Sequence, residues 1–306
     1  MTLDLAIIVA YLVLMLGIGL YYRRYAGEGL ENYFLAGRKV PGWLNGVSYA
    51  AALVSPDAAT AYGGLAAVTG IFVCWWYLSR FGLALCIGAV LFAVFWRRLG
   101  LFTSLEFYEL RFSGGPAALM RFWIAFRTSI IGLPAWTGIT LLAACKIMEP
   151  AFALTKAQTL WLVVPISFAY IFLSGYKGVV VSNLMQMIIF FAGTLCLAWF
   201  TLEHFGGPSA LAATLEQQLG ATGAEMLKSF PPAQHGIFPL AGAMAWLIGQ
   251  SIGYGGDVAP MGGAMEGQRI LSTRTPRQAV TMYIVTAFTM FTLVLLVSLL
   301  NSPPCG

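Results

Sequence analysis

Residues 47–57 read Val47-Ser48-Tyr49-Ala50-Ala51-Ala52-Leu53-Val54-Ser55-Pro56-Asp57, an apolar helical run that meets a proline in mid-course and continues through Ala58–Thr60 to Gly63-Gly64. Proline removes an amide donor and crowds the preceding turn, and the glycines weaken the helix beyond it. The run lies inside Gly42–Gly70, a stretch long enough to cross a bilayer. Freed N–H and C=O groups at that depth cannot face hydrocarbon, so a true break must line a buried or water-filled site. The alternative is a simple kink at Pro56.

A second interruption argues against the kink. Ala245-Trp246-Leu247-Ile248 gives way to Gln250-Ser251-Ile252-Gly253-Tyr254-Gly255-Gly256-Asp257, then Pro260 and Gly262-Gly263. The two breaks fall in the second and seventh of eight apolar segments, which enter the membrane from opposite sides. Pro41 to Ser55 and Pro239 to Gly253 are also the same distance, 14 residues. Matching discontinuities in oppositely oriented halves mark an inverted-repeat transporter. At such breaks carbonyls can coordinate a cation, and half-helix N-termini can hold an anionic group.

The eight segments are Leu5–Tyr22, Gly42–Gly70, Ile71–Trp96, Ala117–Cys145, Gln158–Ser174, Val179–Leu202, Ile237–Gly253 and Ala279–Leu300. Hydrophobic residues make up 59% of the 306 and charged residues 9%, against roughly a quarter charged in a soluble domain. An all-α integral membrane protein is expected. Arg23 and Arg24 come after the first apolar run, whereas a signal peptide carries its charges before it. With the N-terminus outside, eleven Lys and Arg fall on the cytoplasmic side (23, 24, 38, 39, 97, 98, 111, 177, 269, 274, 277) and Lys146, Lys156 and Lys228 opposite. That asymmetry satisfies the positive-inside rule.

The sequence divides into an extra helix and cytoplasmic loop (1–40), a first five-helix repeat (41–204), an external loop (205–236) and two helices of a second repeat (237–306). The loop is expected to hold a short amphipathic helix around Leu211–Leu219, and Thr103-Ser104-Leu105-Glu106 has the form of a capping box. Trp43, Trp75, Trp76, Trp96, Trp161 and Trp199 fall near predicted helix ends, as an aromatic belt would place them. The net charge of +5 is scattered between apolar runs, without the basic stripe that nucleic acid requires. The five cysteines and two histidines have no metal-ligand spacing. No H-E-x-x-H or G-x-S-x-G is present, so the sequence does not read as an enzyme.

Ionisable residues at membrane depth are costly and usually functional. Asp57 has two readings: a cap on the second half-helix, or a counter-charge for a cation or cationic substrate group. Arg127, in Phe126-Arg127-Thr128-Ser129, either pairs with Asp57 or snorkels toward the cytoplasm. Asp257 either lines the pathway or sits in a solvated loop.

Five motifs in order resemble the sodium:solute symporter family, which includes sodium/glucose and sodium/proline cotransporters. They are Asn32-Tyr33-Phe34-Leu35-Ala36-Gly37-Arg38; Gly42-Trp43 with Ala51–Ser55; Thr103-x-x-Glu106-Phe107 with Arg111-Phe112; Gly175-Tyr176-Lys177-Gly178-Val179-Val180 with Gln186; and Gln268-Arg269-Ile270-Leu271-Ser272. The resemblance implies a leucine-transporter-type fold, one extra helix before two inverted five-helix repeats. The second repeat is then incomplete here, and the sequence is truncated at its C-terminal end. The resemblance also implies a sodium site built from the backbone carbonyls of Ala51 and Val54, with hydroxyls from a later helix not in this sequence. Substrate is then expected between the breaks, near Ser55, Asp57 and Ala58 on one side and Gln250, Tyr254 and Asp257 on the other. Ala58 stands where the family's sugar-binding glutamine is expected, which argues against a glucose-type substrate. The expected function is sodium-coupled symport of a small organic solute across the plasma or bacterial inner membrane. Proton coupling and a receptor that binds without transport are the alternatives.

Overall fold

The computed structural model describes residues 2–54, 63–73, 84–228, 230–237, 239–253 and 264–300, and no strand occurs among them. The order is α1 (Thr2–Ala26), α2 (Leu30–Leu35), α3 (Gly42–Leu53), α4 (Gly63–Thr69), α5 (Ala93–Leu99), α6 (Glu106–Arg111), α7 (Gly115–Phe126), α8 (Leu133–Phe152), α9 (Lys156–Phe205), α10 (Pro208–Leu219), α11 (Ala221–Met226), α12 (Leu240–Gly253), α13 (Ala264–Ser272) and α14 (Pro276–Leu300). Ala6–Ala26, Gly115–Phe152 and Lys156–Phe205 are each long and apolar enough to cross a membrane. Their surfaces carry large apolar side chains, such as Phe122, Trp161 and Phe200, that are mostly exposed. In water such a surface would aggregate, whereas in lipid it is the solvated face.

The fourth expected segment is longer than the sequence suggested. α7 and α8 run on through a π-helical stretch, Arg127–Gly132, as one span from Gly115 to Phe152. The fifth and sixth segments meet inside α9, which bends at Gly175 with φ 57° and ψ −165°. Only glycine adopts that backbone readily, and a Cβ there would lie 2.8 Å from the Tyr33 carbonyl. The first arm, 156–174, is about 28 Å long at 1.5 Å per residue, close to the hydrocarbon thickness. Of the third segment, the described parts are a 3₁₀ turn at Ile71–Val73, a helical turn at 84–87, a π-helical stretch at Gly88–Phe92 and α5.

The core gathers where α3 lies against α14. Tyr49 and Ala50 of α3, Leu85 and Ala89, Ile270 and Leu271 of α13, and Met282 and Tyr283 of α14 form one buried cluster. α3 approaches α14 closely because Gly42, Gly46 and Ala50 recur every fourth residue on one face. A Cβ on Gly46 would lie 2.7 Å from the Met282 carbonyl, and one on Gly42 would overlap the Gln278 carbonyl. Small residues at this spacing let membrane helices touch backbone to backbone. Gly88 does the same for the Tyr283 ring, with Cε1 at 2.6 Å from its would-be Cβ.

Two local expectations need correction. Glu106 does accept from the Thr103 amide (3.3 Å), and from the Phe102 amide (2.9 Å), but the Thr103 hydroxyl bonds the Glu106 carboxylate rather than capping a helix. The helix starts at Glu106 itself, after a turn in which the Glu106 amide bonds the Thr103 carbonyl. The full reciprocal box is at Thr155 and Gln158, opening α9. Trp96 is not at an interface: it is buried against Phe107, with ring centroids 5.2 Å apart. Trp75 and Trp76 lie outside the described residues. The loop helix exists but starts at Pro208, and α11 follows it. Gly70, at φ 110°, then packs on the backbone of Met226, and Phe72 meets His235 edge to face at 5.1 Å.

Candidate ion and substrate site

α3 keeps helical geometry through Leu53 and stops. Val54 is extended, with φ −98° and ψ 116°, while its N–H still reaches the Ala50 carbonyl at 3.1 Å. The interruption expected at Ser55-Pro56 thus begins one residue earlier. Ala51 lies in the last turn and Val54 just beyond it, both half-buried. Carbonyls at such an end are the ones a helix leaves for other partners. Ser55, Asp57 and Ala58 lie outside the described residues, and the backbone is helical again at Gly63.

On either side of the second expected interruption, α12, which holds Gln250, is described as far as Gly253, and the backbone is next described at Ala264, in α13. Tyr254 and Asp257 lie outside the described residues. Arg127 opens the π-helical stretch between α7 and α8; its side chain is exposed and forms no ion pair among the described residues.

Between α3, α9 and α13 lies a buried polar cluster that sequence reasoning missed. The Asn45 carboxamide donates to the Arg269 carbonyl and to Ser272 Oγ, both at 2.9 Å, and accepts from the Tyr176 hydroxyl at 2.9 Å. One turn on, the Asn183 amide donates to Ser48 Oγ (2.9 Å) and the Ser48 carbonyl (3.1 Å). The Tyr283 hydroxyl donates to Glu266, and the Arg269 guanidinium lies 5.2 Å from the Tyr49 ring centroid. Asn45, Ser48, Tyr49, Glu266 and Ser272 have no exposed surface. A signal was present. Asn45 and Ser48 are polar residues three apart in an otherwise apolar helix, and each needs a partner when buried.

Arg38, Lys39, Arg97 and Arg274, four of the basic residues expected on one side of the membrane, lie together at one end of the described fold. Arg38 binds the Gly100 and Leu101 carbonyls (2.9 and 3.0 Å) and Glu31 (2.7 Å). Arg97 donates to the Thr273 carbonyl at 2.6 Å, Arg274 to the Lys39 carbonyl at 2.7 Å, and Val40 pairs with Thr273 in an isolated parallel bridge. Burial, then the nearby Arg38 charge, lowers the Arg97 pKa from the usual arginine value. Lys177 sits 3.9 Å above the Tyr25 ring. Thr273 and Arg274 of this arginine-rich end directly follow Ser272 of the polar cluster.

The sequence profile of the sodium:solute symporter family matches residues 33–301. The chain belongs to that family. It is therefore an integral, multi-pass membrane protein, and the relatives it matches are transporters rather than enzymes. Sodium/glucose cotransporter 2 of Rattus norvegicus is 22% identical over 219 residues, which cover 71% of this chain and 32% of that protein. The sodium/sialic acid symporter NanT of Aliivibrio fischeri is 25% identical over 191 residues, 61% of this chain and 36% of that one. A solved structure described as the substrate-bound outward-open state of a Na+-coupled sialic acid symporter superposes with a TM-score of 0.78 at 18% identity, covering 97% of this chain and 59% of that one. The all-helical fold is thus that of a sodium symporter of the leucine-transporter type. The chain spans about a third of the length of the curated relatives it matches.

Proposed function

We propose that this family member is a sodium-coupled symporter that takes up a small organic solute by alternating access. The observation that carries this reading is the end of α3 at Leu53 and the extended backbone at Val54, within a sequence matched over residues 33–301 by a sodium symporter family. The Ala51 and Val54 carbonyls are the sodium ligands this chain supplies. Oxygen donors of that kind suit a hard monovalent cation.

The solute sits between the two interrupted helices. Ser55, Asp57 and Ala58 face it from one side, and Gln250, Tyr254 and Asp257 from the other, with Arg127 as a further pathway residue. The relatives are described by sodium with glucose or with sialic acid. Ala58 argues against a sugar of the glucose type. Eight crossings, an outside N-terminus and an inverted repeat of which the second half is partial are supported by the charge asymmetry and the matched positions of the breaks.

Reconstituted protein expressed from the complete reading frame is expected to accumulate its solute only under an inward sodium gradient. A panel of neutral and anionic organic solutes, each with sodium and with potassium, identifies the substrate class. Uptake that is the same in both salts rejects sodium coupling, and acceleration by an inward proton gradient alone assigns the coupling to protons.

A further inference from the structure

We propose that Asn45 is the centre of a latch that holds the arginine-rich end of the carrier shut, and that the carrier breaks this latch to open there. The inference rests on the symporter reading and adds to it the residues that control one of its two doors.

Asn45 joins elements from both interrupted regions. α3 runs up to the first break, and α13 starts just after the second. A single side chain ties them to each other and to the second arm of α9: it donates to Arg269 O and Ser272 Oγ on α13 and accepts from Tyr176 on α9. Asn183 on α9 repeats the α9–α3 contact one turn deeper, at Ser48. A displacement of α3 relative to α9 or α13 therefore strains the hydrogen bonds of Asn45.

The two faces of α3 differ in kind. Toward α14 it presents Gly42, Gly46 and Ala50, a close-packed seam of small residues crossed by one hydrogen bond, from the Thr286 hydroxyl to the Gly46 carbonyl at 3.0 Å. Toward α9 and α13 it presents Asn45 and Ser48. Helix position separates these faces, because residues 42, 46 and 50 form one row and 45, 48 and 52 another. Apolar surface pulled apart meets water at a cost in proportion to its area. Hydrogen-bonded groups that separate into water exchange one partner for another, and the net loss is small. A seam that must open and reclose in each cycle is better made of the second kind. For stability alone, an apolar contact of the same size would serve as well or better.

The test uses the full protein in sealed vesicles, with Ala52→Cys, half-buried in the row of Asn45 and Ser48, as a reporter behind the latch, and with Ala117→Cys, buried in the first turn of α7, as an internal control. The five native cysteines are changed to serine. A membrane-impermeant maleimide is applied on the side where Arg23 and Arg24 lie. Tyr176→Phe and Ser272→Ala each delete one oxygen atom and keep the bulk of the side chain. Each is expected to speed labelling of the position-52 thiol by roughly fivefold, the population shift matching loss of one net hydrogen bond, with the position-117 thiol unchanged. Sodium is expected to slow labelling in the unaltered background. Unchanged labelling in the folded variants overturns the latch, as does labelling at position 117 rising in step, since that reports general loosening. Labelling that responds to the variants and ignores sodium keeps the latch and rejects the sodium reading.

Discussion

Tyr176 and Asn45 are 131 residues apart in sequence, and the phenol hydroxyl of one lies 2.9 Å from the carboxamide oxygen of the other. Neither residue could be placed by its own neighbourhood in sequence. Tyr176 follows the glycine at which α9 bends, so the bend sets where the phenol points. Asn45 follows Gly42 in the helix that presses on α14, so that seam sets the depth of the carboxamide. Two glycine-dependent contacts thus fix one hydrogen bond.

The α3–α14 seam should be intolerant of even one methyl group. Gly46→Ala and Gly42→Ala each force backbone apart from backbone, and overpacking of this kind costs about 1–3 kcal/mol. Gly17→Ala in α1 meets nothing within 4 Å and is expected to be neutral or slightly stabilising. Thermal unfolding in detergent, followed by the loss of monodisperse protein, separates the two outcomes. Equal melting temperatures for all three would contradict the packing described.

Gly175→Ala is expected to be worse than either. Its backbone lies in a region other residues enter at a cost of about 1–3 kcal/mol, and the added Cβ also meets the Tyr33 carbonyl at 2.8 Å. Expression and melting temperature should both fall, and Gly132→Ala, whose nearest contact is 3.8 Å away, should leave them near normal.

Much of this was legible because lipid imposes simple rules. Apolar length found the three helices that are long enough to cross a membrane, and Pro56 with the downstream glycines marked the end of α3 to within two residues. Charge asymmetry picked out Arg38, Arg97 and Arg274, which do gather at one end. Other features have no such local sign. The Thr103 and Thr155 segments both offer a threonine followed three residues later by Glu or Gln, and only the turn geometry before Glu106 decides against the first. Trp96 sits at a helix end, where a belt tryptophan belongs, yet α6 folds back to bury it against Phe107. The polar cluster was hidden because Asn45, Asn183 and Glu266 lie on three separate elements, and nothing in one segment announces its partners in the others.

The capping comparison can be measured. Thr155→Ala removes the acceptor for the Gln158 amide (3.4 Å) and is expected to cost about 1 kcal/mol. Thr103→Ala should cost less, since its hydroxyl caps no helix. Glu106→Ala should exceed Thr103→Ala, because two backbone amides lose their acceptor. Urea or thermal melts of the three variants give the order directly.

Asp57→Asn tests the charge beside the first break. If Asp57 balances a cation, uptake or its sodium dependence falls while expression holds. Initial rates over a range of sodium concentrations distinguish this from a cap, for which asparagine substitutes well and the kinetics stay as in the parent protein.

Gly70 resting on Met226 has a consequence beyond packing. The loop helices 208–226, in which Leu211, Leu215 and Leu219 stand among polar and small residues, bear directly on the end of α4. Whatever grips that loop also grips the helix downstream of the first break. An antibody fragment raised against 208–226 would therefore act as a lever on α4, setting its posture from the loop alone.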